Sequence, residues 1–192
     1  DVANPASPKV MQTHQMDGTI VDSRMVGEVV YIVSSQQQYY YYYCGSSEAR
    51  GKNQISVLSI NVADPENVFK VDEKEFPGTG YSVFVSAKSI YIADYPASYN
   101  ENQYKNGFGV HYLDISDDKG YIQVKGSFKT KVYLNDRWKM YERGDVFFAV
   151  GQDFWWGNGS SIIETFSVAD PNNIVKIGEY TVIAGQQLYA TR

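Results

Sequence analysis

Asn61-Val62-Ala63-Asp64-Pro65 returns as Ser167-Val168-Ala169-Asp170-Pro171, with a looser copy at Asp114-Ile115-Ser116-Asp117-Asp118 and a fourth at Asp1-Val2-Ala3-Asn4-Pro5. Taking Ala3, Ala63, Ser116 and Ala169 as equivalent, the copies stand 60, 53 and 53 residues apart. A period of that size marks a unit of four strands, the blade of a propeller. An Asp or Asn before Pro turns the chain, because its side chain bonds nearby backbone N–H groups while Pro fixes φ and offers no N–H to a ladder. The repeated Asp is therefore read as a turn residue and not as a catalytic acid.

The flanks repeat with the turn. Strand-like stretches precede it at Ile55–Ile60, Val110–Leu113 and Ile162–Phe166, and others follow at Val68–Val71, Tyr121–Val124 and Ile174–Tyr180. Two further strands joined by a tight polar turn complete the unit at Ser23–Val33, Ser82–Ala93 and Arg137–Val150, with Gly27-Glu28, Ala87-Lys88 and Arg143-Gly144-Asp145 at the turns. Four antiparallel strands of this length cannot bury both faces alone and must stack on neighbours. The expected fold is an all-β propeller segment over residues 1–192. Counted from the turn, three units and a fraction of a fourth are expected, with both ends falling inside a blade. That count points to a piece of a larger propeller, completed by the rest of the protein or by another copy of the chain.

Composition agrees. The chain has 192 residues, 43% of them hydrophobic, with 17 Tyr, 9 Phe and 3 Trp, a profile that favours strands. With 17 Lys+Arg against 22 Asp+Glu the net charge is −5 and no basic block exists, which argues against a nucleic-acid partner. No run approaches the roughly 18 apolar residues of a membrane-spanning helix. No signal-peptide pattern is visible in the given stretch, so export is not decided on that ground. Cys44 stands alone and cannot form an internal disulfide; a catalytic role would need His14 or His111 nearby, and a plain core or loop thiol is the simpler reading.

Two bacterial groups are similar to these residues. Leu58–Pro65, followed by Pro77-Gly78 and Ser89–Asp94, resembles the LVIVD-type surface repeat. Phe128 through Asp136-Arg137-Trp138-Lys139-Met140, then Glu164–Pro171 and Gln187–Arg192, resemble more closely the secreted bacterial β-propeller domain family distantly related to WD repeats. The resemblance spans essentially the whole chain, departing at Asp117-Asp118 and in the tyrosine tract. It implies an extracytoplasmic, secreted or envelope-associated propeller of undefined biochemical function.

The candidate site residues lie in aromatic loops and in a recurring arginine. Gln36–Cys44 contains five consecutive tyrosines, of which Tyr39, Tyr41 and Tyr43 would present alternate rings from an added strand, either packed or offered to a sugar or peptide. Tyr99 and Tyr104 lie in the corresponding loop of the second unit, and Trp155 and Trp156 in that of the third, so all would gather on one propeller face. Arg24, Arg137 and Arg192 recur 21, 21 and 23 residues past their reference positions, with Ser82 in the second unit, and can either bind an anion or hydrogen-bond blade-end carbonyls.

Other chemistry is poorly supported by these residues. Asp114-x-Ser116-x-Asp118-Lys119-Gly120 places its glycine one position late for a calcium loop and lacks the bidentate Glu, and two His with one Cys make no zinc set. Gly78-Thr79-Gly80 lacks a dinucleotide context, no Gly-x-Ser-x-Gly elbow occurs, and sialidase boxes are missing although that class also clusters arginines. The sequence therefore predicts a non-catalytic binding scaffold for protein or carbohydrate, without cofactor or metal. The alternative is a hydrolase propeller, or a regulatory propeller attached to a catalytic domain elsewhere.

Overall fold

A computed structural model of the chain describes residues 4–37, 39–43, 46–50, 52–94, 107–153 and 159–186. Its strands are β1 (Thr19–Val26), β2 (Val29–Gln36), β3 (Tyr39–Tyr43), β4 (Ser46–Arg50), β5 (Gln54–Asn61), β6 (Phe69–Pro77) and β7 (Gly80–Val85). They continue as β8 (Ser89–Asp94), β9 (Phe108–Asp114), β10 (Gln123–Thr130), β11 (Met140–Arg143), β12 (Val146–Gln152), β13 (Ser161–Ser167) and β14 (Val175–Ile183), with one 3-10 turn at Arg137–Lys139. Three four-stranded antiparallel sheets result, in the orders β1-β2-β5-β6, β7-β8-β9-β10 and β11-β12-β13-β14, each a meander. The tyrosine run forms β3, which pairs with β4 in a hairpin inserted between the second and third strands of the first sheet.

The sequence repeat and the structural blade are out of phase by two strands. The polar hairpin opens each sheet and the Asp turn joins its last two strands, so the described strands make three whole sheets rather than three and a fraction. The physical reason is pairing: β2 hydrogen-bonds β5 along its whole length from Val29↔Asn61 to Gln36↔Gln54, across the tyrosine insertion. The tract therefore interrupts a blade instead of separating two blades.

Hairpin register sets the equivalences between sheets. Tyr31↔Ser59, Tyr91↔Tyr112 and Phe148↔Thr165 occupy one position, and Val33↔Val57, Ala93↔Val110 and Val150↔Ile163 the next on the same face. We call this the front face. It packs on the following sheet: Tyr31, Val33 and Val57 form a core with Ile90, Ile92 and Leu113, and Tyr91, Ala93, Val110 and Tyr112 form another with Phe147, Ala149 and Phe166. Side chains alternate across a strand, so the middle sheet contributes one face to each core. Tyr91 stacks on Phe147 at 4.4 Å and meets Tyr112 edge-on at 5.1 Å. Fully burying side chains of this size contributes about 1.5–3 kcal/mol apiece.

The repeated turns close identically. Asn4, Asp64, Asp117 and Asp170 accept, through side-chain oxygens, the backbone N–H two residues on, at 3.2, 3.0, 2.9 and 3.0 Å. The N–H groups of Val62, Ile115 and Val168 donate to the carbonyls of Glu28, Lys88 and Asp145, each at 2.9 Å, tying the Asp turn to the hairpin of its own sheet. Carboxylates also clasp the connections between sheets. Asp94 accepts from Thr79 N and Oγ1 at 2.6 and 2.9 Å on the β6–β7 link, and Glu164 from Thr130 Oγ1 and Lys131 N at 2.5 and 2.8 Å on the β10–β11 link.

Candidate functional site

The innermost strands meet around one cavity. β1 and the 3-10 turn both lie beside β7, and between them opens a space of about 720 Å³ lined by Arg24, Val83–Val85, Arg137–Tyr141, Phe148, Val150 and Ile163. Its floor is apolar and its rim is cationic. A smaller hollow of about 270 Å³ shares Arg24 and Val85 with it and is bounded further by Met25, Val26, Ser86 and Ala87.

Asp136 sets the cationic rim. Its side chain accepts from Trp138 N at 2.8 Å and caps the 3-10 turn, so Arg137 and Trp138 are held outward while Lys139 turns in. The Arg137 guanidinium carbon lies 4.7 Å from the Trp138 ring centroid, a cation–π contact, and the indole is 59% exposed. Lys139 is buried and donates to Asn135 Oδ1 at 2.5 Å; burial lowers its pKa, against the opposing pull of Asp136. Arg24 donates through Nη1 to Asp22 Oδ1 and to the Ser23 carbonyl, both at 2.6 Å, and its buried Nη2 has no partner among the described residues. A planar guanidinium with one fork tied down and the other free is suited to a carboxylate or to paired hydroxyls.

Arg24 and Arg137 thus share a cavity, though not by the equivalence that counting suggests. Arg24 pairs with Tyr31 two residues before the last hairpin pair, Val26↔Val29, and the residues in that register are Phe84 opposite Tyr91 and Tyr141 opposite Phe148. Ser82 is not Arg24's counterpart. The 3-10 turn lengthens the approach to the third hairpin, so Arg137 reaches the cavity from before β11 while Arg24 reaches it from within β1.

Tyr39, Tyr41 and Tyr43 lie on β3, whose side chains are outside the described residues, as are Tyr99, Tyr104, Trp155, Trp156, Cys44 and Arg192. What the strands do establish is that the three stretches bearing these aromatics link the second strand to the third in each sheet. They therefore leave the sheets from one end, and Arg24 sits near the hairpin turn at the opposite end of β1. Trp138 and Lys139 were not singled out by sequence, although a capping Asp directly before Arg-Trp-Lys was a readable signal.

A second polar cluster is structural. Asp94 Oδ2 lies 3.1 Å from His111 Nε2, and Phe76 packs against the imidazole at 4.9 Å. Both Thr79 and His111 bond the carboxylate, whereas an activated nucleophile must bond the imidazole. Asp114 accepts from Ser116 N and Oγ at 2.9 and 2.6 Å, so that carboxylate closes its own turn. Among the described residues no group of three or more metal-capable side chains gathers, and no helix is long and apolar enough to cross a membrane.

Successive four-stranded meanders packed face to face, with a cavity at their inner strands, define a β-propeller segment. The comparison of sequences agrees: the model of the beta propeller domain matches residues 1–54 and 44–192, and the chain belongs to that family. No curated protein matches it. Among solved structures, a mutant of Synechocystis ACO aligns over 78% of this chain at 10% identity and a TM-score of 0.41. This chain spans 34% of that protein's length, and at such a score the likeness carries no argument about function.

Proposed function

We propose that this propeller segment is a non-catalytic binding module, working outside the cytoplasm, whose ligand is a protein or a glycan held at the inner-strand cavity. One observation carries the reading: Arg24 and Arg137, chosen from the sequence, line a single cavity that also holds an exposed Trp138 stacked by Arg137. An indole platform suits the apolar face of a sugar ring or an aromatic side chain, and the free Arg24 fork suits a carboxylate or vicinal hydroxyls. An acidic sugar or a peptide carboxylate satisfies both halves. The extracytoplasmic placement and the bacterial origin rest on the family resemblance read from the sequence. The aromatic 2–3 connections, leaving from the opposite end, are offered as a second contact surface on the same scaffold.

The test is a glycan and peptide array probed with the chain and with Trp138→Ala and Arg137→Ala. Binding that falls at least ten-fold in both variants, at unchanged melting temperature, supports the cavity. Binding indifferent to both but lost when residues 36–52 and 153–159 are shortened moves the site to the loop end. Turnover of a captured ligand, lost with Arg137→Ala, would favour an enzyme instead.

A further inference from the structure

The cavity at the inner strands offers hydrogen-bond donors and almost no acceptors. Among the described residues its polar side chains are Arg24, Arg137, Trp138, Lys139 and Tyr141, and no Asp, Glu, Asn, Gln, Ser or Thr lines it. Guanidinium, ammonium and indole groups only donate, so among these side chains the Tyr141 hydroxyl alone accepts. The rest of the wall is aliphatic or aromatic, from Val83–Val85 of the middle sheet to Met140 of the third. Such a wall suits a ligand that accepts at one end and is apolar at the other. It suits a sugar poorly, because each ring hydroxyl also donates and would face side chains that accept nothing.

Charge and backbone narrow the class further. Arg24 is paired with Asp22 at 2.6 Å, and Lys139 is turned in on Asn135 Oδ1 at 2.5 Å with the negative charge of Asp136 close by. Arg137 lies over the Trp138 ring, and no carboxylate pairs with it among the described residues. Three cations against two carboxylates leave one positive charge at the cavity, in a chain whose net charge is −5. A single carboxylate balances it, and a guanidinium stacked on a ring keeps its in-plane fork for one. The strands that bound the cavity, β1, β7 and β11, are each the end strand of a sheet. An end strand keeps one edge of backbone N–H and C=O groups whose spacing matches a further extended chain, which the alkyl tail of a free acid does not use.

We propose that the ligand of this cavity is the C-terminal residue of a polypeptide, with its carboxylate on Arg137 and Arg24 beside it, its apolar side chain on the Val83–Val85 and Met140 wall, and the exposed Trp138 flanking the chain that leads in. The inference rests on the binding reading above and narrows it from protein or glycan to a free, apolar C-terminus. The cavity of about 720 Å³ is large enough for such a residue and lies within the range of specific ligand sites.

The experiment titrates the whole chain, by fluorescence anisotropy, with labelled short peptides ending in leucine, phenylalanine or glycine, each as the free acid and as the C-terminal amide. Octanoate and a glucuronate disaccharide serve as competitors. The free acids ending in leucine or phenylalanine should bind about ten-fold or more tighter than their amides and than the glycine peptide. Arg137→Gln, at an exposed position, should weaken the free acids by about ten-fold or more and leave the amides unchanged, while Arg137→Lys, which keeps the charge and loses the fork, should fall between. Circular dichroism confirms that each variant is folded. Equal binding of acid and amide overturns the proposal, as does a free acid that fails to bind at about millimolar concentration. Octanoate as tight as the peptides also overturns it and assigns the carboxylate to a free acid. A glucuronate disaccharide that binds more tightly than any peptide, and is lost with Trp138→Ala, overturns this inference and leaves the cavity standing as a binding site. If no probe and no array ligand responds to Arg137→Gln or Trp138→Ala, the binding reading and this inference fall together.

Discussion

Removing the Glu164 carboxylate should loosen the third sheet from the second. Glu164 is 1% exposed, and its two oxygens receive Thr130 Oγ1 at 2.5 Å, Lys131 N at 2.8 Å and Lys176 Nζ at 2.6 Å. Thr130 is itself 1% exposed, so in Glu164→Ala its hydroxyl loses its acceptor with no water to replace it. A buried donor left unpaired costs about 1–3 kcal/mol, and breaking one side of a buried ion pair about 3–5 kcal/mol. Lys176 offsets part of this: its side chain is 35% exposed and keeps Glu179, so its ammonium is not stranded. The net expectation is a loss of about 2–4 kcal/mol, which for a domain of this size lowers Tm by about 5–15 °C. Glu164→Gln retains an acceptor for Thr130 and Lys131 but presents no charge to Lys176, and should lose about 1–2 kcal/mol. The double variant Glu164→Leu with Lys176→Met removes both ends of the pair and places at 164 the residue that Leu58 provides in the same register of the first sheet. It should be more stable than Glu164→Ala. Urea unfolding followed by tryptophan fluorescence, with thermal circular dichroism, measures all three, and a lowered m-value would show the third sheet opening on its own. Glu164→Ala within about 1 kcal/mol of the parent, or Glu164→Gln as damaging as Glu164→Ala, would refute the assignment of Glu164 as the clasp between sheets.

Two further predictions concern titration. Hydrogen bonds from Lys176 and Lys131 lower the Glu179 pKa, so its contribution is complete above the ordinary glutamate range and is lost as pH falls through the depressed value. For Lys176 burial opposes the charge, but the hydrogen bonds it donates to Glu164 and Glu179 outweigh it and raise the pKa, so its contribution is complete below the ordinary lysine range and is lost as pH rises through the raised value. Lys176→Met should therefore differ most from the parent near neutrality at low salt and converge with it in acid; Tm-versus-pH curves that stay parallel to pH of about 2 would exclude this. Burial, with the negative charges of Asp117 on Tyr31 and Glu142 on Tyr91 and Tyr112, raises all three phenols above the usual tyrosine value. Their stabilisation is complete below that value and declines as pH rises beyond it, so a phenolate titration should show a late fraction ionising together with unfolding. Smooth ionisation of every tyrosine while the dichroism is still native would contradict the burial of these rings.

The repeat was legible because turn chemistry is local. An Asp that bonds the backbone two residues on needs no tertiary partner, so Asp64 and Asp170 announce themselves, and Asp117 does so even without its proline. Hairpins such as Gly27-Glu28 are equally local, and they carry the four-strand count. The blade boundary was not legible, because a turn between strands looks the same whether it falls inside a sheet or between two sheets; only the pairing of β2 with β5 decides. The cavity was half legible. Arg24 and Arg137 were found by recurrence, while Trp138 and Lys139 were missed because their importance follows from a 3-10 turn that displaces Arg137 from the register of Arg24.

Sequence alone determined strand content, the period, the turn residues and hence the propeller class, all of which follow from interactions within a few residues. Tertiary structure decided where each blade begins, which face of each sheet is front or rear, and that arginines from the first and third sheets share one cavity. It also decided the clasp between the second and third sheets, for Thr130 and Glu164 are distant in sequence and meet only after those sheets have stacked. The division is physical: a backbone turn is specified by its own side chains, whereas a cavity or an uncovered face exists only where separate strands have been brought to a common register.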